Sequence, residues 1–204
     1  MPPVYVHKHL LCERSIWLED DVESDNSSWG SVYHASLSVP LGHRARVLWS
    51  RWLYGQPMWA QKNCSDPDQD LEALAEIYTL CSDSDDKDED LAGMNAALDG
   101  IREILVNDSH VPINPLATLL GHLEDGTMGW TMLLELLVYG RCATEGRTRE
   151  WLNEASDELE EDFVLAVSLE FAEKTTLDNP PDPMARCAYH IHHMDMENRC
   201  NVPI

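Results

Sequence analysis

The chain has 204 residues, of which 44% are hydrophobic, and a formal net charge of −23. This length and composition predict a globular protein with its own core, and no stretch approaches the ~20 apolar residues of a membrane-spanning helix. The first residues lack a basic segment followed by an apolar one, so we expect an intracellular protein without a secretory signal, nuclear or cytoplasmic. The first four of its six cysteines are then expected to be reduced core residues.

The negative charge is unevenly distributed. Residues 1–60 carry 5 basic and 6 acidic side chains, whereas residues 61–204 carry 9 basic and 31 acidic ones. Such an excess of acid repels phosphate backbones and argues against direct nucleic-acid binding. We expect most of these carboxylates to solvate helix surfaces, and a basic protein partner stays open as an alternative.

The N-terminal part of the chain mixes strand and helix patterns. Residues 3–7 predict a short strand, residues 8–18 a helix, and the alternation over residues 32–39 a half-buried strand. Residues 41–54 predict a helix that stops at a glycine. Its predicted inward residues are Val47, Leu48 and Trp52, with Trp49 as a further candidate.

The remainder predicts a helix array. Asp66, Asp68 and Asp70 are alternative caps for its first helix, and residues 82–90 predict an acidic loop. Gly126 and Gly129 separate the third apolar stripe from the fourth. The stripes at helical spacing are Leu71, Leu74, Ala75, Tyr78 and Cys81; Leu91, Met94, Leu98, Ile101 and Leu105; Leu116, Leu119, Leu120 and Leu123; Trp130, Leu133, Leu134, Leu137 and Val138; and Phe163, Ala166, Val167 and Glu170 within a helix over 159–174. The order of these predicted strands and helices predicts an α+β, mostly helical fold, in which a small sheet-and-helix cluster precedes a helical array.

Two motifs in the first 55 residues resemble a known family. The first runs through Val6, His7 and Lys8 to Leu11, Cys12, Arg14 and Ser15, and the second is Trp52-Leu-Tyr-Gly55 at the end of a helix. Together they resemble the BTB/POZ domain of the fungal type. The resemblance implies a BTB/POZ-like domain over residues 1–108 that lacks the family's first strand, a helical extension over 109–178, and a Pro-rich, Cys/His-containing tail over 179–204.

The resemblance also implies a function. BTB/POZ domains bind proteins and catalyse nothing, so we expect a non-enzymatic adaptor or oligomerisation module without cofactors. Its partner would be a second copy of the chain or a cullin-type ligase scaffold. The residues predicted to contribute to that surface are His7, Lys8, Leu11, Arg14, Trp49, Trp52 and Tyr54. The structural alternative for His7 is a hydrogen bond that fixes the strand-to-helix corner. The structural alternative for the tryptophans is a place in the core.

The tail suggests a second function. Cys187, His190, His192 (or His193) and Cys200 supply the thiolates and imidazoles of a tetrahedral zinc site. Their spacing is not a common zinc-finger spacing, and a loosely ordered tail explains them equally well. A zinc-binding protein is therefore the alternative hypothesis.

Other chemistry is disfavoured by the sequence. The acidic loop places Lys87 and Asp88 where a calcium-binding loop needs an oxygen ligand and then a glycine. Cys12 beside His7 or His9 is better explained as a core thiol than as half of a catalytic dyad. The chain has no phosphate-binding loop, dinucleotide turn or Gly-x-Ser-x-Gly elbow.

Overall fold

The computed structural model describes residues 41–60, 66–82, 90–107, 113–121, 123, 127–139, 153–154, 157 and 159–173. Within these ranges the regular elements are helices, which confirms the mostly helical part of the predicted fold. They are α1 (His43–Leu53), α2 (Pro67–Ser82), α3 (Leu91–Asn107), α4 (Ile113–Leu120), α5 (Met128–Tyr139) and α6 (Glu161–Glu173). The predicted strands over 3–7 and 32–39 and the predicted helix over 8–18 lie outside the described residues, so the sheet stays a prediction.

Helix α1 ends in a tight backbone turn. Gly55 has φ 74°, a left-handed conformation that costs a residue with a Cβ about 1–2 kcal/mol. The Gly55 N–H donates to Trp52 O over 2.8 Å, and the Gln56 N–H donates to Arg51 O over 3.1 Å. These two bonds are the pair that defines a Schellman cap, which explains why the Trp-Leu-Tyr motif is followed by glycine.

Helices α2 and α3 pack against each other at the centre of the described bundle, and α2 also contacts α1 and α4. The α2 stripe predicted from the sequence is buried throughout, from Leu71 to Cys81. Gly100 on α3 faces α2 so closely that an added Cβ would lie 2.9 Å from Leu74 Cδ1. The absence of a side chain there lets the two helices approach.

The cap of α2 is Asp66, one of the three predicted candidates. Its Oδ1 accepts from the backbone N–H groups of Asp68, over 3.2 Å, and Gln69, over 3.4 Å. These bonds satisfy two of the donors that a helix start leaves without a partner. Asp70 has a different role, described below with the buried polar clusters.

Helix α6 packs on α5, which also contacts α3. Thr127 caps α5, because its Oγ1 accepts from the Trp130 N–H over 3.3 Å. The rings of Trp130 and Phe163 meet edge to face at 5.5 Å, and the Tyr139 hydroxyl donates to Glu170 Oε1 over 2.7 Å. Helix α6 is thus held by an aromatic contact near its start and a hydrogen bond near its end.

Several predicted details of the core were wrong or incomplete. On α1 the buried residues are Ala45, Leu48, Trp49 and Leu53; Trp52 is partly buried and packs against the core, whereas Val47 is only partly buried. On α5, Trp130 and Leu134 are partly buried and pack against the core, and Met132 and Leu136, which were not predicted, are buried. Gly129 does not break the helical pattern but is the second residue of α5. On α5, which is apolar on most sides, the packing partner decides which side faces inward, and the sequence does not reveal that partner.

The buried side chains from Leu41 to Val167 form one hydrophobic cluster, so the described helices before and after residue 108 share a core. In the part of the chain that the structure describes, no helix is long and apolar enough to cross a membrane.

Candidate interaction surface and buried polar clusters

The end of α1 carries the described members of the predicted partner-binding set. Tyr54, the residue that follows the last helical position, is 44% exposed, and Trp52 is partly buried against the core. Beside them Arg51, which is partly buried, donates from Nε to Oε1 of the exposed Gln56 over 3.3 Å. We call Arg51, Trp52, Tyr54 and Gln56 the α1 end surface. It offers an aromatic side chain to solvent on a capped turn.

Trp49, the third aromatic residue of the predicted set, is 4% exposed. Its side chain belongs to the core cluster together with Leu48 and Leu53 and presents almost no area to a partner. Trp59, for which the sequence did not decide between core and surface, is 5% exposed.

The other predicted site residues lie outside the described part of the chain. They are His7, Lys8, Leu11 and Arg14 for partner binding and Cys187, His190, His192 and Cys200 for zinc. Their predicted roles stay predictions. Among the residues that are described, no group of three or more His, Cys, Asp or Glu side chains is arranged to hold a metal ion.

Asp70 is the centre of a buried polar cluster between α1 and α2. It is completely buried, its Oδ1 pairs with Arg44 Nε, and its Oδ2 accepts from Trp59 Nε1 over 2.9 Å. Nearby, the Gly42 N–H donates to Glu76 Oε2 over 2.6 Å. Both carboxylate oxygens of Asp70 are therefore satisfied, and the cluster fastens the start of α1 and the segment after it to α2.

A second polar cluster lies where α2 ends and α3 begins. The Asp90 N–H donates to Cys81 O over 3.3 Å, and Asp90 Oδ1 accepts from the Gly93 N–H over 2.9 Å, which caps α3. Within the described residues Asp90 Oδ2 is buried and accepts no hydrogen bond. Burial raises the pKa of Asp90, and the hydrogen bond from Gly93 opposes that shift only in part.

Cys81 is a core thiol. It is completely buried and unbonded to another cysteine. Burial, and secondarily the negative charge of Asp90, raise the pKa of its thiol, so it stays protonated at neutral pH. Since the thiolate is the nucleophilic form, this cysteine is inert.

Tyr139 and Glu170 form the contact between α5 and α6. Burial raises the pKa of the Tyr139 hydroxyl, and the hydrogen bond to Glu170 and the negative charges of Glu170, Glu135 and Glu173 raise it further. The phenol therefore remains a hydrogen-bond donor at neutral pH.

The sequence reasoning missed one exposed apolar feature. Leu165 and Leu169 on α6 are 54% and 58% exposed, and both lie outside the predicted inner stripe of that helix. A helical-wheel plot gives the signal in hindsight, because both leucines fall opposite Phe163 and Val167.

Comparisons with protein-family models, with curated proteins and with solved structures return no match for this chain. The resemblance to BTB/POZ domains therefore rests on the quoted motifs alone.

Proposed function

We propose that the chain is a non-enzymatic protein–protein interaction module that resembles BTB/POZ adaptor or oligomerisation domains. Its partner is a second copy of the chain or a cullin-type ligase scaffold. The observation that carries the proposal is the α1 end surface, where the motif Trp52-Leu-Tyr-Gly55 becomes a capped turn with Tyr54 44% exposed.

This surface has the physical properties of a binding anchor. Tyrosine and tryptophan dominate the energetics of protein interfaces, because they bury a large area with few rotatable bonds. The two backbone hydrogen bonds to Arg51 and Trp52 hold the turn in place before a partner arrives. Binding at a pre-ordered surface loses less conformational entropy than binding at a flexible loop.

The distribution of charge supports the same region. Residues 1–60 carry 5 basic and 6 acidic side chains, so another protein can approach them without strong repulsion. The remaining residues, with 9 basic and 31 acidic side chains, would repel a second copy. Self-association is therefore favoured through the N-terminal part of the chain.

Three buried titratable groups of the described residues have structural roles, whereas Asp90 keeps a buried Oδ2 that accepts no hydrogen bond from them. Asp70 is fully engaged by Arg44 and Trp59, Cys81 stays a neutral thiol, and Arg102 pairs with Asp99 over 2.6 Å. Each of these groups stabilises a helix contact or a helix itself.

Sedimentation velocity of the full chain tests the proposal. We expect a dimer that forms as the concentration rises from about 1 to about 100 µM, or a complex with the purified N-terminal domain of a cullin. A chain that stays monomeric throughout this range and forms no complex with the cullin domain contradicts the proposal.

A further inference from the structure

The outer side of α1 combines apolar side chains with basic ones. At 3.6 residues per turn, His43, Val47 and Tyr54 lie on the side of α1 that points away from its buried residues. His43 and Tyr54 are exposed, and Val47 is partly buried and outside the core cluster of the described residues. Arg46 and Arg51 border this side, one on each edge. We call these five residues the α1 outer face.

Carboxylates of the described residues leave the two arginines of this face unpaired. Arg46 Nε donates to Leu41 O over 2.8 Å, and Arg51 Nε donates to Gln56 Oε1 over 3.3 Å. Neither arginine forms an ion pair within the part of the chain that the structure describes. Each guanidinium therefore keeps donors for a carboxylate, which it binds through two parallel hydrogen bonds.

The outer side of α6 carries the opposite charge. Leu165 and Leu169 are 54% and 58% exposed and lie one turn apart on the same side of the helix. Glu161 borders this side on one edge, Asp162 and Glu173 border it on the other, and all three are exposed. We call these five residues the α6 outer face.

The charges of the six described helices make α1 and α6 a complementary pair. Helix α1 carries 3 basic and no acidic side chains and is the one described helix with more basic than acidic residues. Helices α2 and α6 carry 4 acidic and no basic side chains each. Of these two, α6 also exposes large apolar side chains, whereas the large exposed hydrophobic residues of the described chain include none from α2.

The whole sequence shows the same contrast. Residues 41–60 carry 3 basic and no acidic side chains, and residues 153–173 carry no basic and 8 acidic ones. Residues 140–152 also have more basic than acidic side chains, but with 3 against 2 their net charge is only +1. The segment around α1 is therefore the stronger attractor for the acidic edges of α6.

We propose that the α1 outer face of one copy of the chain docks on the α6 outer face of a second copy. Val47 and Tyr54 cover the two leucines, and Arg46 and Arg51 face the acidic edges. The faces match in pattern, because each has apolar side chains along its middle and charges of one sign on both edges. This inference rests on the proposed function, since it names the partner of the α1 end surface.

The contact joins two copies because one copy does not make it alone. Tyr54, Leu165 and Leu169 are 44%, 54% and 58% exposed in the same chain, so its own α1 does not cover its α6. The net charge of −23 opposes approach in general, but salt at physiological strength screens charges beyond about 8 Å, and the touching faces attract. A contact between unlike faces gives a closed ring of copies or an open series, and a closed pair contains it twice.

Sedimentation velocity of the full chain tests the apolar part of the contact. We expect Leu165→Ser together with Leu169→Ser to weaken self-association at least about tenfold, because both leucines lose apolar contact area. Met128→Ser, at a residue 48% exposed on α5, is the matched control and should change the affinity less than about twofold.

Charge reversal gives the sharper test. Arg51→Glu alone, and Asp162→Lys with Glu173→Lys alone, should each weaken self-association at least about tenfold. An equimolar mixture of the two variants should associate again, because the intact α1 of one meets the intact α6 of the other. Glu72→Lys, at an exposed position of α2, is the control for net charge and should associate like the parent.

Four results overturn the inference. They are a parent chain that stays monomeric up to about 100 µM, a mixture that does not associate, a leucine double variant that associates like the parent, and a fall of more than about 5 °C in the thermal midpoint of that variant, which would assign the leucines to a contact within the chain. The proposed function survives each of them if Tyr54→Ala still weakens a dimer or a cullin complex, so the two failures are distinguishable.

Discussion

The indole Nε1 of Trp59 donates a hydrogen bond to Oδ2 of Asp70 over 2.9 Å, and both residues are buried. The other oxygen of Asp70 pairs with Arg44, whose side chain is 30% exposed. A buried carboxylate is tolerated only when its charge and lone pairs are satisfied. The start of α1, the segment after it and α2 therefore depend on one another through a single aspartate.

Removal of Arg44 tests this cluster. Arg44→Ala leaves the buried Asp70 carboxylate with Trp59 as its remaining described partner, and we expect a loss of about 2–3 kcal/mol in the free energy of unfolding. Arg51→Ala is the matched control, because the bond from Arg51 to Gln56 is exposed and is expected to contribute less than about 0.5 kcal/mol. Urea denaturation measures both values, and equal losses would show that Asp70 does not need Arg44.

Substitution of Gly55 tests the cap of α1. Gly55→Ala places a Cβ in the left-handed region, and we expect a loss of about 1 kcal/mol in the free energy of unfolding. Gly55→Asn should lose less, because asparagine tolerates this conformation better than alanine. Thermal and urea denaturation measure which of the two variants is less stable. An alanine variant more stable than the parent chain would contradict the positive φ of Gly55.

Substitution of Gly93 tests how tightly the start of α3 packs against the end of α2. Alanine is favoured over glycine in a helix, but a Cβ on Gly93 would lie 2.6 Å from Cys81 Sγ and 2.9 Å from Asp90 Oδ2. We therefore expect Gly93→Ala to lower the free energy of unfolding by about 1–3 kcal/mol.

The matched double variant locates the cause of that loss. Cys81→Ala removes the nearer atom, so combining it with Gly93→Ala should recover about 1 kcal/mol relative to the sum of the two single changes. Strictly additive losses in a double-mutant cycle would mean that Sγ is not the obstacle.

The raised pKa of Asp90 predicts a pH dependence. Its pKa in the folded protein lies above the ordinary value of 3.8, so the folded state binds this proton more tightly than the unfolded chain. Asp90 thus stabilises the fold when protonated, and that contribution is lost as the pH rises from 3.8 through the raised pKa. Asp90→Asn keeps an oxygen to cap α3 but has no charge to bury.

Urea denaturation at several pH values measures this effect. The stability of Asp90→Asn relative to the parent protein should increase as the pH rises above 3.8 and level off once Asp90 is ionised in the folded state. A difference that stays constant or decreases with pH would contradict a raised pKa.

Helix positions were largely predictable from the sequence, because apolar residues at helical spacing mark a buried face. The predicted helix over 41–54 is α1, and the predicted helix over 159–174 is α6, with ends shifted by one or two residues. All five residues of the predicted α2 stripe are buried, but the buried face is wider than the stripe, because Ala73 and Ile77 are buried as well. The α5 stripe was only partly right, since a helix that is apolar on most sides has no unique inner face.

The long-range polar contacts were not predictable, because they join residues distant in the sequence, and one local cap, that of Asp90, was missed. Asp70 was considered only as a helix cap, yet it binds Arg44, which is 26 residues earlier. Asp90 was assigned to an acidic loop, yet it is 5% exposed and caps α3. Glu170 was correctly placed on the inner side of α6, but its partner Tyr139 lies 31 residues away.

The effect of Tyr54 on association tests most directly whether the α1 end surface binds another protein, as proposed. Sedimentation velocity would compare the dissociation constants of the parent chain, Tyr54→Ala and the control Met128→Ala, which also truncates a large exposed apolar side chain. We predict that Tyr54→Ala weakens the dimer or the cullin complex about tenfold or more, while Met128→Ala changes it less than about twofold. Equal affinities for Tyr54→Ala and the parent chain would contradict the account.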